Sequence, residues 1–346
     1  MSKGAVELRA RIAAWDVALA AVRAYFRAQG LAEVSTPVRL PAVAIEPYIE
    51  PLRVTGGVLA TSPELPMKRL LAHGAGPIFQ IAHVARASER GKLRAEEFHL
   101  VEWYRPNQHD WRRLAADTQS VVAAVFDAVG RRSGPRDWQT HGFLDLVART
   151  TGVSLTGEED AAMLTAALAP TQPALVPTPI PRAGLPEVAA PPEAVTTLAA
   201  WSSFFSSWCD RDLDPWLQAQ TDGIHVVEFP QALAALSRCD APTVTTVPCS
   251  RVALRLESHV GGVELSNGYS ELTCVTTQRQ RFAAVQGLRA AHGEPPLPEP
   301  QRFLAALASP GLPPTVGCAL GLDRLIALAC GCAAIDGVAL PLEWSL

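Results

Sequence analysis

Two neighbouring segments constrain this chain most. Ile78 to Arg86 and Glu97 to Arg105 both read as strands, and a polar loop joins them. Side chains alternate along a strand, so Phe98, Leu100, Glu102 and Tyr104 share one face. A carboxylate between aromatics on a β face is costly to bury unpaired. It points either to a site for an amine or other cation, or to an edge strand with Glu102 in water. The strand alone does not choose between them.

More strands follow the same style. Leu31 to Val34 is stopped by Pro37, and Tyr48 to Val54 with Val58 to Thr61 reads as a hairpin turning at Gly56-Gly57. Ile224 to Phe229, Arg251 to Ser258, Val263 to Thr273 and Thr315 to Leu320 complete the set. Leu8, Ile12, Trp15, Leu19, Val22 and Phe26 form one helical stripe ending at Gly30. Further helices are expected over Pro63 to His73, Asp110 to Val129, Thr276 to His292 and Gln301 to Ala308, and beyond Gly321. Strands joined by hairpin loops, with helices around them, imply an α+β fold built on a mostly antiparallel sheet. Ala169 to Glu193 carries eight prolines and no usable period, so it reads as a loop or linker. The stripe Trp201, Phe204, Phe205 and Trp208 beyond it reads as core packing.

Composition removes several function classes. With 48% apolar and 18% charged residues the chain can bury a large core. A net charge of −4 argues against a generally basic nucleic-acid-binding surface. Seven cysteines without a Cys-x-x-Cys pair argue against a disulfide framework and a zinc ribbon. No apolar run reaches a membrane span and no signal-peptide layout opens the chain, so a cytoplasmic location is expected. Only Lys3, Lys68 and Lys92 of the 30 basic residues are lysines, so an anion site here is built from guanidinium groups.

Two weaker signals join the strand bearing Glu102. If Val260-Gly261 forms a turn, Glu257 and Glu264 lie directly opposite on paired strands. That arrangement is destabilising without a counter-ion, and a hard divalent cation such as Mg²⁺ would relieve it. A longer turn with both acids in water is the alternative. Second, Gly317 to Arg324 runs from a buried strand into a helix whose N-terminus, with Arg324, attracts phosphate.

In order, these segments resemble the class II aminoacyl-tRNA synthetases. Arg86, the loop, Glu97-Phe98 and Glu102-Trp103-Tyr104 are similar to motif 2; Gly321-Leu322-Asp323-Arg324 looks like motif 3; the strand ending near Pro37 looks like motif 1. Thr61-Ser62-Pro63-Glu64, Met67-Lys68-Arg69-Leu70 and Asn267-Gly268-Tyr269-Ser270-Glu271-Leu272 narrow the likeness to the lysyl branch. The whole most resembles the elongation factor P–(R)-β-lysine ligase family, lysyl-tRNA synthetase paralogues without an anticodon-binding domain. The likeness covers about residues 5 to 340 and is weakest from 150 to 245.

The resemblance implies one synthetase-like catalytic domain over 1–346, with a proline-rich and helical insertion at about 140–220 and no anticodon-binding domain. It implies an ATP- and Mg²⁺-dependent ligase that forms an aminoacyl-adenylate of (R)-β-lysine or lysine. The acyl group then passes to the ε-amine of a lysine on elongation factor P. Arg86 and Arg324 are the implied catalytic residues, on the α- and γ-phosphates, with Phe98 stacked on adenine and Glu89, Arg94 and Gly321 also at ATP. Glu257 and Glu264 match the Mg²⁺ ligands. Glu64, Asn267, Tyr269 and Glu271 fall on amino-acid positions, and Glu102 and Tyr104 on those receiving the side-chain ammonium. Ala319 stands where lysyl-tRNA synthetases carry glycine, which favours a β-amino acid. No tRNA or membrane partner is expected, and motif 1 implies a homodimer.

The chain departs from the pattern at Ala85, Ser88, Arg94, Glu96 and Cys274. Strict alternation puts Glu264 and Asn267 on opposite faces, so a bulge or bend, helped by Gly268, is expected to re-aim one of them. A ligase charging another protein or carrier, and a non-catalytic regulatory paralogue, remain as alternatives.

Overall fold

The computed structural model describes residues 3–168 and 190–339, so most of the proline-rich stretch from Ala169 to Glu193 lies outside the described residues. In chain order the elements are α1 (Lys3–Ala28), β1 (Ala32–Glu33), β2 (Arg39–Leu40), β3 (Arg53–Val54), β4 (Gly57–Leu59) and α2 (Glu64–Ala72). Next come β5 (Ile78–Ala85), β6 (Glu97–Pro106), α3 (Arg112–Val129), β7 (Trp138–Gly142), α4 (Phe143–Thr151) and α5 (Ala161–Leu168). α6 (Pro192–Trp208) runs through a π-helical turn (Cys209–Leu213) into α7 (Asp214–Gln218). The last part holds β8 (Gly223–Pro230), β9 (Cys239–Asp240), β10 (Val252–Val260), β11 (Val263–Ser270), α8 (Val275–Ala291), α9 (Gln301–Ala308), β12 (Thr315–Gly321) and α10 (Leu322–Cys330).

The main sheet has the order β1-β5-β6-β12-β11-β10-β8-β7, with β9 beside β10. All its pairings are antiparallel except β1 with β5 and β7 with β8. A small sheet, β2-β4-β3, lies apart. The α+β fold read from the hairpins holds. The two parallel pairings join distant segments, which no hairpin announces.

One face of the sheet packs on helices. Val22 and Phe26 of α1, Val121 and Val125 of α3 and Leu325 of α10 meet Phe79 and Trp103 in a shared apolar core. Each such fully buried side chain stabilises the fold by roughly 1.5–3 kcal/mol. The helical stripe of α1 is only partly used, because Leu8 and Ile12 stay 36% and 48% exposed. A fixed polar point lies behind β6. The fully buried Asp117 of α3 accepts hydrogen bonds from Tyr25 Oη at 2.7 Å, Trp103 Nε1 at 3.1 Å and Arg105 Nε at 2.7 Å. Trp103 and Arg105 therefore face the helices, while Phe98, Leu100, Glu102 and Tyr104 face the other way.

Between about 140 and 220 the chain builds a second apolar core against β8. Phe143, Trp201, Phe204 and Trp208 pack with Phe229. The expected core stripe is thus present in Trp201, Phe204 and Trp208, and Phe205 turns partly towards a cavity. Among the described residues no helix is long and apolar enough to cross a membrane.

Two hairpins correct the sequence reading. The first turns at Thr55-Gly56, not Gly56-Gly57, since Val54 pairs with Gly57. Gly57 belongs to the strand because a Cβ there would lie 2.3 Å from the Leu40 carbonyl oxygen. The second turns at Gly261-Gly262, where both residues have positive φ (57° and 77°), the pattern of a tight type I′ turn. Val260 then pairs with Val263 and His259 with Glu264, and a bulge at Leu265 brings Glu257 opposite Asn267. The expected pairing of Glu257 with Glu264 is therefore wrong.

Candidate active site

The helix-free face of the sheet carries the site as two transverse rows. Gln80, Glu102, Ala319, Asn267 and Glu257 pair successively across β5, β6, β12, β11 and β10. Ile78, Tyr104, Gly317, Tyr269 and Arg255 form the next row. Antiparallel pairing sets these side chains side by side at about 5 Å from strand to strand. The bulge at Leu265 lets Glu264 share the face with Asn267. A re-aiming bulge was thus required, but Leu265 supplies it rather than Gly268. Gly268 instead leaves room on the opposite face, where a Cβ would lie 2.9 Å from Leu114.

Of the residues nominated from the sequence, all but Glu257 line one cavity of about 220 Å³: Glu64, Arg86, Glu89, Arg94, Phe98, Glu102, Tyr104, Glu264, Asn267, Tyr269, Glu271, Ala319, Gly321 and Arg324. Glu257 lines an adjoining cavity of about 1350 Å³ that also receives Arg86, Glu264, Asn267, Tyr269 and Arg324. Walls of this wider cavity come from α6, the π-helical turn and α8.

At the deep end, Glu102 is 2% exposed and lies on an inner strand, which removes the edge-strand reading. Tyr104 Oη donates to Glu102 Oε1 at 2.5 Å, and Glu102 Oε2 has no hydrogen-bond partner. Burial, then the charge of Glu64, push the Glu102 carboxyl up to about 8. Tyr104 fits because Gly317 has no side chain: a Cβ there would lie 2.2 Å from the Tyr104 ring. Beside them the buried Lys68 ammonium reaches Glu64 Oε1 at 2.6 Å and Glu271 Oε2 at 2.5 Å. Burial raises the Glu271 carboxyl to about 8 against the pull of Lys68. Burial also opposes the Lys68 charge, but Glu271 and Glu64 outweigh it and hold the ammonium protonated.

The outer end is cationic. Arg86 donates from Nε to the Thr61 carbonyl at 3.1 Å, and its guanidinium lies 5.1 Å from the centre of the Phe98 ring. One face of Phe98, the residue expected against adenine, is thus covered by Arg86. Arg94 pairs with Glu89 at 3.1 Å across the loop between β5 and β6. Arg324 donates to the carbonyls of Leu93 at 3.0 Å and Glu264 at 2.8 Å, and pairs with the Glu264 carboxylate at 3.4 Å. Gly321 caps the N-terminus of α10, whose Asp323 accepts from the His99 backbone N–H at 2.6 Å.

Glu257 and Glu264 stand on one face of the β10–β11 hairpin. Burial raises Glu257 to about 7, with Arg255 pulling it down and Glu264 pushing it up. Against burial, Arg324 and His259 hold Glu264 below the usual carboxylate range. Two hard oxygen donors that repel each other suit a divalent cation shared with phosphate. No set of three or more His, Cys, Asp or Glu side chains among the described residues is grouped to hold a metal alone.

Sequence reasoning missed Glu46, Lys68, Arg255 and His259. Lys68 carried a signal: a rare lysine in an arginine-rich chain, one helical turn after Glu64. Arg255 and His259 follow from alternation along β10, two residues either side of Glu257. Glu46 lies on the loop between β2 and β3 and had none. Cys274 takes the N-cap of α8, outside the lining of either cavity.

The chain is similar to known proteins along most of its length. The family model "tRNA synthetases class II (D, K and N)" matches residues 5–341. The chain is 31% identical over 330 residues to the elongation factor P–(R)-β-lysine ligase of Salmonella gallinarum, covering 92% of this chain and 91% of that protein. It is 32% identical over 321 residues to the ligase of the same name from Edwardsiella ictaluri, covering 90% and 88%. The ligase of that name from Pectobacterium carotovorum is also 32% identical, over 323 residues covering 90% and 88%.

Proposed function

This chain belongs to the class II tRNA synthetases of the D, K and N type, and from that premise we propose that it is an ATP-dependent, AMP-forming ligase. It activates (R)-β-lysine, or lysine, as an aminoacyl-adenylate and transfers it to the ε-amine of a lysine on elongation factor P. The observation that carries this is one continuous cavity. A buried carboxylate with a free oxygen, Glu102, lies at its deep end, and three arginines lie at its outer end.

A cationic amino-acid side chain enters towards Glu102 and Tyr104, with Glu64, Asn267, Tyr269, Glu271 and the methyl of Ala319 shaping the rest. This places the substrate carboxylate under Arg86, which holds the α-phosphate and stabilises the charge that develops as carboxylate oxygen bonds to phosphorus and pyrophosphate leaves. Phe98 packs on adenine; Arg324 binds the γ-phosphate; Glu89, Arg94 and Gly321 complete the nucleotide contacts. Glu257 and Glu264 would hold Mg²⁺, which when bound neutralises phosphate charge. The acceptor amine then forms an amide with the acyl carbon while the bond to AMP breaks. Alignment in the cavity, rather than a covalent enzyme intermediate, provides the acceleration.

In this reading the chain is one catalytic body with its insertion at about 140–220, it works in the cytoplasm, and it needs no tRNA. A homodimer uses the motif 1 region, where exposed Val38 offers apolar surface. Pyrophosphate exchange into ATP, stimulated by (R)-β-lysine, is the test, followed by transfer of labelled amino acid to elongation factor P. Exchange without transfer redirects the acceptor; no exchange with any diamino acid overturns the enzyme.

A further inference from the structure

The carboxylates of the cavity are unevenly matched. Glu64 and Glu271 share the Lys68 ammonium. Glu257 has Arg255 and Glu264 has Arg324. Of the acids that line the smaller cavity, two lack a cation of their own. Glu102 meets only the Tyr104 hydroxyl, and its second oxygen, in a residue 98% buried, is unpartnered. Glu46 makes no hydrogen bond and no ion pair among the described residues. It lines both cavities, within reach of the charges of Glu64 and Arg86. Burial and the charge of Glu64 raise its carboxyl to about 7, against the pull of Arg86 and Arg255.

A diamino acid brings two ammonium groups, and the smaller cavity offers two carboxylates without a counter-cation. We propose that Glu46 is a specificity-determining residue that receives the amino group nearer the substrate carboxylate, while Glu102 takes the distal ammonium. This rests on the reading of the cavity as a diamino-acid site and deepens it. Glu64, at 2.6 Å from Lys68, has its charge already engaged. Glu46, at the junction with the arginine end, stands where the carboxyl end of a substrate must lie for adenylation.

Calorimetric titration of the whole chain with (R)-β-lysine and lysine tests this without requiring catalysis, with ATP titrated separately. Replacing a charge-assisted contact by Glu46→Gln is expected to weaken diamino-acid binding by about tenfold or more, with ATP affinity kept within about twofold and Glu46→Asp recovering part of the loss. Unchanged diamino-acid affinity in Glu46→Gln overturns the proposal. So does an equal loss for ATP, which would make Glu46 a support for Arg86. Wild-type protein that binds no diamino acid overturns the underlying reading as well, and so separates the two failures.

Discussion

The two ends of the cavity are built on different principles. At the deep end Lys68 and Glu64 of α2, Glu102 and Tyr104 of β6 and Glu271 just past β11 are buried, and they partner one another. At the outer end the charged heads sit on long side chains at a loop and a helix start. The Arg94 side chain is 59% exposed and the Arg324 side chain 25%. An exposed pair such as Arg94–Glu89 contributes about 0–1 kcal/mol, so a polyanion can take the arginine at small cost. A buried set such as Lys68 with two carboxylates resists rearrangement, since removing one member strands the others. Fixed geometry at one end suits recognition of a small cation; movable charge at the other suits a triphosphate that arrives and leaves.

That contrast breaks if changes at the two ends have the same consequence. The largest effect is expected from Arg86→Ala: exchange falls by about 10³-fold or more. The melting temperature stays near that of wild type, because the side chain makes one hydrogen bond, to Thr61. A matching loss of stability would show that the outer end is structural too. Next comes Lys68→Met, which leaves Glu64 and Glu271 buried without their cation and should destabilise by about 3–5 kcal/mol in denaturant titrations. A variant as stable as wild type would show that water already compensates those acids.

The smallest effect is in pH. The Glu102 carboxyl is raised to about 8. The folded protein therefore keeps a proton that the unfolded chain loses near the ordinary value of 4.5. Stability of the unliganded protein should fall as pH rises from about 4.5 to about 8 and level off above. Binding of a cationic side chain needs ionised Glu102, so the KM for amino acid should drop about fivefold between pH 7 and 8. A Glu102→Gln variant whose KM keeps the same pH slope would assign the titration elsewhere.

Local rules made much of this legible. Alternation placed Phe98, Leu100, Glu102 and Tyr104 on one face, and the structure turns all four to the cavity. Helical periodicity found α2, α3, α8 and α9 within a residue or two. Register was harder. A turn read one residue early and an unseen bulge at Leu265 were enough to misplace the partner of Glu257, because period-two patterns carry no mark of an inserted residue. Pairings between distant segments, β1 with β5 and β7 with β8, depend on tertiary packing alone. So does Glu46, a loop carboxylate carried into the site by the small β2-β4-β3 sheet rather than by any pattern around it.

Asp117 acts on the site without touching it. It engages Trp103 and Arg105, the odd-numbered side chains of β6, and in doing so reads the parity of the strand. A slip of one residue would offer it Glu102 and Tyr104 in their place, setting carboxylate against carboxylate inside an apolar core. The hidden helix side of the sheet thus proofreads the catalytic side, and the alignment of both rows is checked from behind.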